Sequence, residues 1–169
     1  MKTRPEPLPS VSGPVTESQG VSFQAEALTN EDYLYEMFDA NLIMAGILPV
    51  RLKIENTSGE AVNLKRVKFE VVSGGQSLKI IDAGGAFKRL ISFYGISTYS
   101  KEGYRESKGD LSSHALSLHA PIAPGEARQG LIFFRISDDQ IRQGGLTLLV
   151  KKLKVGRSNA ESSVELKLN

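Results

Sequence analysis

Apolar and polar side chains alternate one for one from Val21 to Ala27, where Val21, Phe23, Ala25 and Ala27 interleave with Ser22, Gln24 and Glu26. A period of two marks a strand with one buried face, so the spacing predicts a strand here. Alternation resumes beyond Gly46 and Pro49 at Val50, Leu52 and Ile54, with Arg51, Lys53 and Glu55 on the other face, and Asn56-Thr57-Ser58-Gly59 closes that strand with a turn. Between Val62 and Val72 the apolar set changes phase: Val62 and Leu64 are even, whereas Val67, Phe69 and Val71 are odd. A one-residue slip turns every later side chain to the other face, so a bulge or bend is expected near Lys65-Arg66. Gly74-Gly75 then leads into a short strand carrying Leu78, Ile80 and Ile81.

The strongest signal lies further on, where the turn Ala123-Pro124-Gly125-Glu126 precedes a strand from Gln129 to Ile136 that is apolar on both faces at its centre. Such a strand belongs in the interior of a sheet. Leu116 and Leu118 predict a short strand before Pro121, and two last strands are expected over Leu146–Val155 and Ser163–Leu168. Helical spacing is confined to short stretches. Thr29 as an N-cap opens a helix over about residues 30–41 on Leu34, Met37, Phe38 and Leu42, and Phe87, Leu90, Ile91 and Tyr94 predict a second that Gly95 stops. Ser137-Asp138-Asp139-Gln140 reads as a capped helical turn ended by Gly144-Gly145. Residues 96–113 are polar and read as the longest loop, the kind of segment that carries function in a compact domain. Seven or eight short strands with turns at this spacing predict a mainly all-β chain: an immunoglobulin-like two-sheet β-sandwich with one or two short helices and no disulfide.

Composition narrows the function classes more than it names one. A chain of 169 residues is about one domain with one sizeable core. Its 21 basic and 19 acidic side chains leave a formal charge of +2, no basis for nucleic-acid binding by counterion release. The absence of cysteine excludes disulfides, thiolate metal sites and cysteine nucleophiles. The apolar run from Asn41 to Val50 is too short to span a bilayer. Residues 1–19, with Pro5, Pro7 and Pro9 following Lys2 and Arg4, read as a flexible N-terminal tether rather than an export signal, leaving residues 20–169 as the sandwich domain. A tether of this kind is what remains when an export signal or lipid-anchored cysteine is removed, so an extracytoplasmic location is expected, with peripheral membrane attachment through an anchor outside this chain.

The order Leu48-Pro-Val-Arg-Leu-Lys-Ile-Glu-Asn-Thr-Ser, then Val67-Lys-Phe-Glu-Val, then Ile122-Ala-Pro-Gly-Glu with Gly130-Leu-Ile-Phe-Phe resembles bacterial extracytoplasmic immunoglobulin-like domains of unknown function, often found in lipoproteins. The resemblance runs from about Gly20 to Val155 and its motifs are structural. It implies a periplasmic, envelope or secreted location and a non-enzymatic binding or scaffolding role, and it transfers no catalytic residue and no cofactor. The helix near Leu90 and residues 96–113 depart from the family's usual form.

Candidate chemistry is sparse. His114 and His119, five apart on an expected strand, would face opposite ways and cannot share a metal. Asp110, Ser113 and His114 are the residue types of a hydrolase triad, but neighbours in a chain do not assemble its geometry. The glycine pairs lack phosphate-loop spacing, Asp138-Asp139 is too small a cluster for calcium, and Asn56-Thr57-Ser58 reads as a turn. Two surface features remain. Tyr94, Tyr99, Tyr104 and Arg105 are the candidate contacts for an unidentified protein partner, since Tyr and Arg on exposed loops suit recognition. Lys65, Arg66 and Lys68, with Lys151, Lys152, Lys154 and Arg157, would form a basic stripe if their strands share a sheet, and a ligand-recognition role toward a glycan or an anionic surface is the alternative reading.

Overall fold

The computed structural model describes residues 11–95 and 101–168. The described strands are β1 (Thr16–Ser18), β2 (Val21–Ala27), β3 (Ile47–Asn56), β4 (Lys68–Ser73), β5 (Gln76–Leu78), β6 (Ile80–Ile81), β7 (Ala127–Arg135), β8 (Thr147–Leu153) and β9 (Ser162–Lys167); β1 falls in the expected tether, and β5 and β6 divide the single short strand expected at Leu78, Ile80 and Ile81. They make two antiparallel sheets, one ordered β1-β2-β3-β7-β6 and the other β5-β4-β8-β9. The two stack as a β-sandwich. Between them lie Phe23, Leu52, Ile54 and Phe134 of the first sheet and Phe69, Val71, Leu148, Val150, Val164 and Leu166 of the second, all buried in one cluster. Lys79 carries the chain from one sheet to the other, and its carbonyl accepts the Arg135 N–H at 2.8 Å.

The Pro-Gly turn supports β7 as anticipated. Gly125 sits at φ 79° one place after Pro124, and the Glu126 N–H closes the turn on the Ala123 carbonyl at 3.0 Å. This is a type II turn, whose third position needs positive φ. β7 then runs between β3 and β6, which explains why it is apolar on both faces. One face meets the opposing sheet. The other meets a layer of helices.

Four helices are present among the described residues, rather than one or two: α1 (Glu31–Phe38), α2 (Ala83–Tyr94), α3 (Lys101–His114) and α4 (Asp138–Gln143). α1 is capped by Asn30, not Thr29, with the Asn30 side chain accepting the Tyr33 N–H, and it ends at Asp39 in the left-handed region (φ 53°). α4 carries the full reciprocal capping box between Ser137 and Gln140. α3 packs on both α1 and α2, and α2 also touches β6 and β7. Under them Ile47, Arg51, Leu131 and Phe133, on the outward face of the first sheet, are buried.

Three further expectations need correction. Residues 96–113 are not one long loop, because 101–114 is helical; 96–100 lie outside the described residues. Within α3, only Leu111 and His114 among the described side chains are buried, so packing on α1 and α2 rather than an apolar stripe explains the helix. Leu116 and Leu118 form no strand: the pairing there is one isolated parallel bridge, Ala115 to Leu131, and the carbonyls of Ser117, Ala120 and Pro121 go instead to the Arg128 guanidinium at 2.6–3.0 Å. The packed domain also begins before residue 20. Val11 is buried, β1 pairs with β2, and Ser12 donates its N–H and hydroxyl to Glu26 at 3.1 and 2.9 Å, so only residues 1–10 of the expected tether lie outside the described residues.

Candidate anion-binding groove

The phase change read between Val62 and Val71 is a true break. Val62 forms isolated bridges to Ile122 and Val155, the chain turns at Lys65-Arg66 with the Val67 N–H on the Leu64 carbonyl at 3.2 Å, and β4 begins at Lys68. The turn leaves Lys65 and Arg66 exposed while Leu64 and Val67 on either side stay buried.

A second break of the same kind lies on β8. Its buried residues are Leu148 and Val150, then Leu153 and Val155, so the phase moves from even to odd at Lys151-Lys152. Val150 pairs with Val164 and Leu153 with Ser162, which sets two residues of β8 against one of β9: a β-bulge. Lys152 occupies it at φ 59°, a left-handed conformation that costs a residue with a Cβ about 1 kcal/mol or more. Without the extra residue, alternation would drive Lys152 into the core; with it, the ammonium stands exposed.

The pairing of β4 with β8 sets Lys68 opposite Lys151 and so brings the two breaks together. They line a trough of about 650 Å³ whose walls include Asn63, Lys65, Arg66, Lys68, Lys152, Lys154 and Glu161. The basic stripe expected on condition of a shared sheet is therefore formed. Lys151 is taken out of it by Glu70, which it meets at 2.6 Å; hydrogen bonds from Lys151 and Ser77 hold the Glu70 carboxyl below its ordinary pKa. Lys154 faces Glu161 at 3.6 Å, a solvent-exposed pair worth little in water. Lys65, Arg66, Lys68 and Lys152 have no ion pair within 4.0 Å among the described residues. Arg157 lies in the adjoining turn, its N–H donating to Glu60 at 3.3 Å. Unpaired cations in a concave wall raise the local potential toward anions.

No protein-family profile matches the chain, and no curated protein matches it in sequence. Among solved structures it is similar to a candidate lipoprotein (ycdA) from Bacillus subtilis, at 14% identity and a TM-score of 0.47 over 92% of this chain and 38% of that one. It is similar as well to a conserved hypothetical protein from Bacillus anthracis (10% identity, TM-score 0.44, 91% of this chain and 94% of that one). A third is a DUF4426 family protein from Pseudomonas aeruginosa (10% identity, TM-score 0.35, 91% and 90%). All three neighbours are bacterial. This chain spans well under half of the first and nearly the whole of the other two.

The tyrosine candidates are distributed differently. The Tyr94 hydroxyl accepts the Asn41 N–H at 2.9 Å and its ring stands edge-on to Phe93, so it fastens the end of α2 to the chain after α1. Tyr99 lies outside the described residues; Tyr104 and Arg105 fall on α3, where Arg105 is exposed and the Tyr104 side chain is outside the described part. Asp110, Ser113 and His114 do not converge as a triad. The Ser113 hydroxyl donates to the Asp110 backbone carbonyl, and His114 packs edge-on against Phe38, its pKa lowered by burial against an opposing pull from Asp110. His119 is exposed on the irregular segment after α3, beside a mostly apolar cleft of about 590 Å³ near Ile81, Leu116 and Leu131. No group of three or more metal-ligating side chains occurs among the described residues, and no described helix is long and apolar enough to cross a membrane.

The β8 phase change was present in the sequence all along. Leu148 and Val150 against Leu153 and Val155 carry the same signal as the Val62–Val71 stretch.

Proposed function

We propose that this protein is a non-enzymatic recognition domain of the bacterial cell envelope that holds an anionic ligand in the groove between the Lys65-Arg66 turn and the Lys152 bulge. The observation that carries the reading is the adjacency of two breaks in strand alternation, each filled with basic residues and one of them held at positive φ. A left-handed lysine persists only where the surroundings impose it, and such outliers concentrate at ligand sites. The envelope location rests on the sequence resemblance from about Gly20 to Val155. A binding role fits a groove whose walls hold cations, an amide and a single carboxylate, a set that attracts an anion without supplying a nucleophile and base.

Retention on immobilised dextran sulfate tests it, with neutral dextran as the reference. The protein is expected to bind at low salt, to elute as salt approaches molar, and to ignore neutral dextran. K65E/K68E/K152E should pass through unretained while unfolding at the wild-type urea midpoint. Equal retention of the two proteins would overturn the assignment.

A further inference from the structure

Resting on the anion-binding reading, we infer that the groove takes a linear, base-free chain of phosphate groups, as in inorganic polyphosphate, rather than a compact anion, a nucleic acid or a membrane surface. The cations come from three separate places along the trough. Lys65 and Arg66 project from a turn before β4, Lys68 from its first residue, and Lys152 from the bulge on the neighbouring strand. The Lys65, Val67 and Gly156 N–H groups of the lining are spent on Asn63, Leu64 and Ala61 rather than gathered as a nest for one phosphate, so a ligand engages the side chains in succession. A ligand with a charge at each link satisfies that arrangement, and the Arg66 fork suits phosphate oxygens.

Two alternatives fit less well. A bilayer is flat and is held by apolar side chains inserted beside the basic ones, but Val15, Tyr35, Met44, Ile80 and Phe93, the large apolar side chains exposed among the described residues, are absent from the groove lining. Single-stranded nucleic acid is held by stacking on aromatic rings, and the lining contains none. What the walls can read is charge and its spacing.

Glu161 gives the inference a distinctive consequence. It faces Lys154 across the lining at 3.6 Å, so a phosphate arriving at Lys154 must displace that carboxylate. Removing its charge should strengthen binding, whereas a residue that only supports the fold would leave affinity unchanged or lower it.

Titration of the full chain with long-chain inorganic polyphosphate, inorganic phosphate, phosphatidylglycerol vesicles and a thymidine oligonucleotide tests this, with dextran sulfate retention run in parallel. Polyphosphate is expected to bind tightest per charge, with a log–log salt slope of about −3 for four engaged cations at about −0.7 each. E161Q should bind it several-fold tighter. K65E/R66E should flatten the slope by about 1 to 2, while the remote K88E/K108E, equal in charge change, keeps it near the wild-type value. Vesicles, inorganic phosphate or the oligonucleotide binding as tightly per charge as polyphosphate would overturn the chain-ligand inference while leaving the anion reading standing. No retention on dextran sulfate would overturn both.

Discussion

Asn56 is wholly buried at the end of β3 and spends its side chain on the chain around it. Its amide N–H groups reach the carbonyls of Glu60 and Ile122 at 2.7 and 3.1 Å, while its oxygen accepts from the Ser58 N–H and hydroxyl. Asn56→Ala would remove one donor each from the Glu60 and Ile122 carbonyls and free the Ser58 turn, at a cost of about 2–4 kcal/mol, read as a lower urea midpoint with an unchanged slope. The sequence placed a turn at Asn56-Gly59 correctly, because Asn, Ser and Gly announce turns through local chemistry. That Asn56 also fastens residue 122 was not legible, since the partner lies far along the chain. Arg128 shows the same limit. It precedes the strand expected over Gln129–Ile136 and no local pattern gives it a role, yet it holds three carbonyls and Glu126, and so belongs to the fold rather than to the basic surface.

Among elements, β8 decides whether the groove exists. Its bulge keeps Leu153 and Val155 in the core and sets Lys152 at positive φ, so a residue without a Cβ is better suited there for stability alone. Lys152→Gly is expected to raise the unfolding free energy by up to about 1 kcal/mol while weakening retention on dextran sulfate, a division that denaturation and binding run on the same preparation will show. Improved stability with undiminished binding would remove Lys152 from the site. α3 illustrates the opposite case: a helix no local pattern announces. Gly103, Gly109 and its serines are poor helix formers, and the element forms because its buried Leu111 and His114 complete a layer with α1 and α2.

Across the whole molecule, stability should depend on pH in two windows. His114 is buried with its pKa lowered, so the unfolded chain takes up a proton near the ordinary value of about 6.5 before the folded one does; stability present above that value falls as pH drops through it toward the folded pKa. Burial pushes Glu26 upward, but hydrogen bonds from Arg51 and Ser12 outweigh it and hold the carboxyl below its ordinary range. Its contribution is therefore present above about pH 4.3 and is lost as pH falls further through the folded value, with the half-buried Glu70 and Glu126, also lowered, titrating in the same range. Urea midpoints measured against pH should show both steps; H114F should flatten the first, and E26Q part of the second. Strands, turns and the Lys65-Arg66 phase break are legible in the chain because alternation and turn chemistry act between residues a few positions apart. The neighbours of each strand are not, since pairing β4 with β8 joins residues about eighty positions apart through contacts that no local pattern specifies. Periodicity by itself determined a two-sheet sandwich with an interior β7, whereas only the tertiary structure could lay helices over one sheet and bring two separate irregularities together as one basic groove.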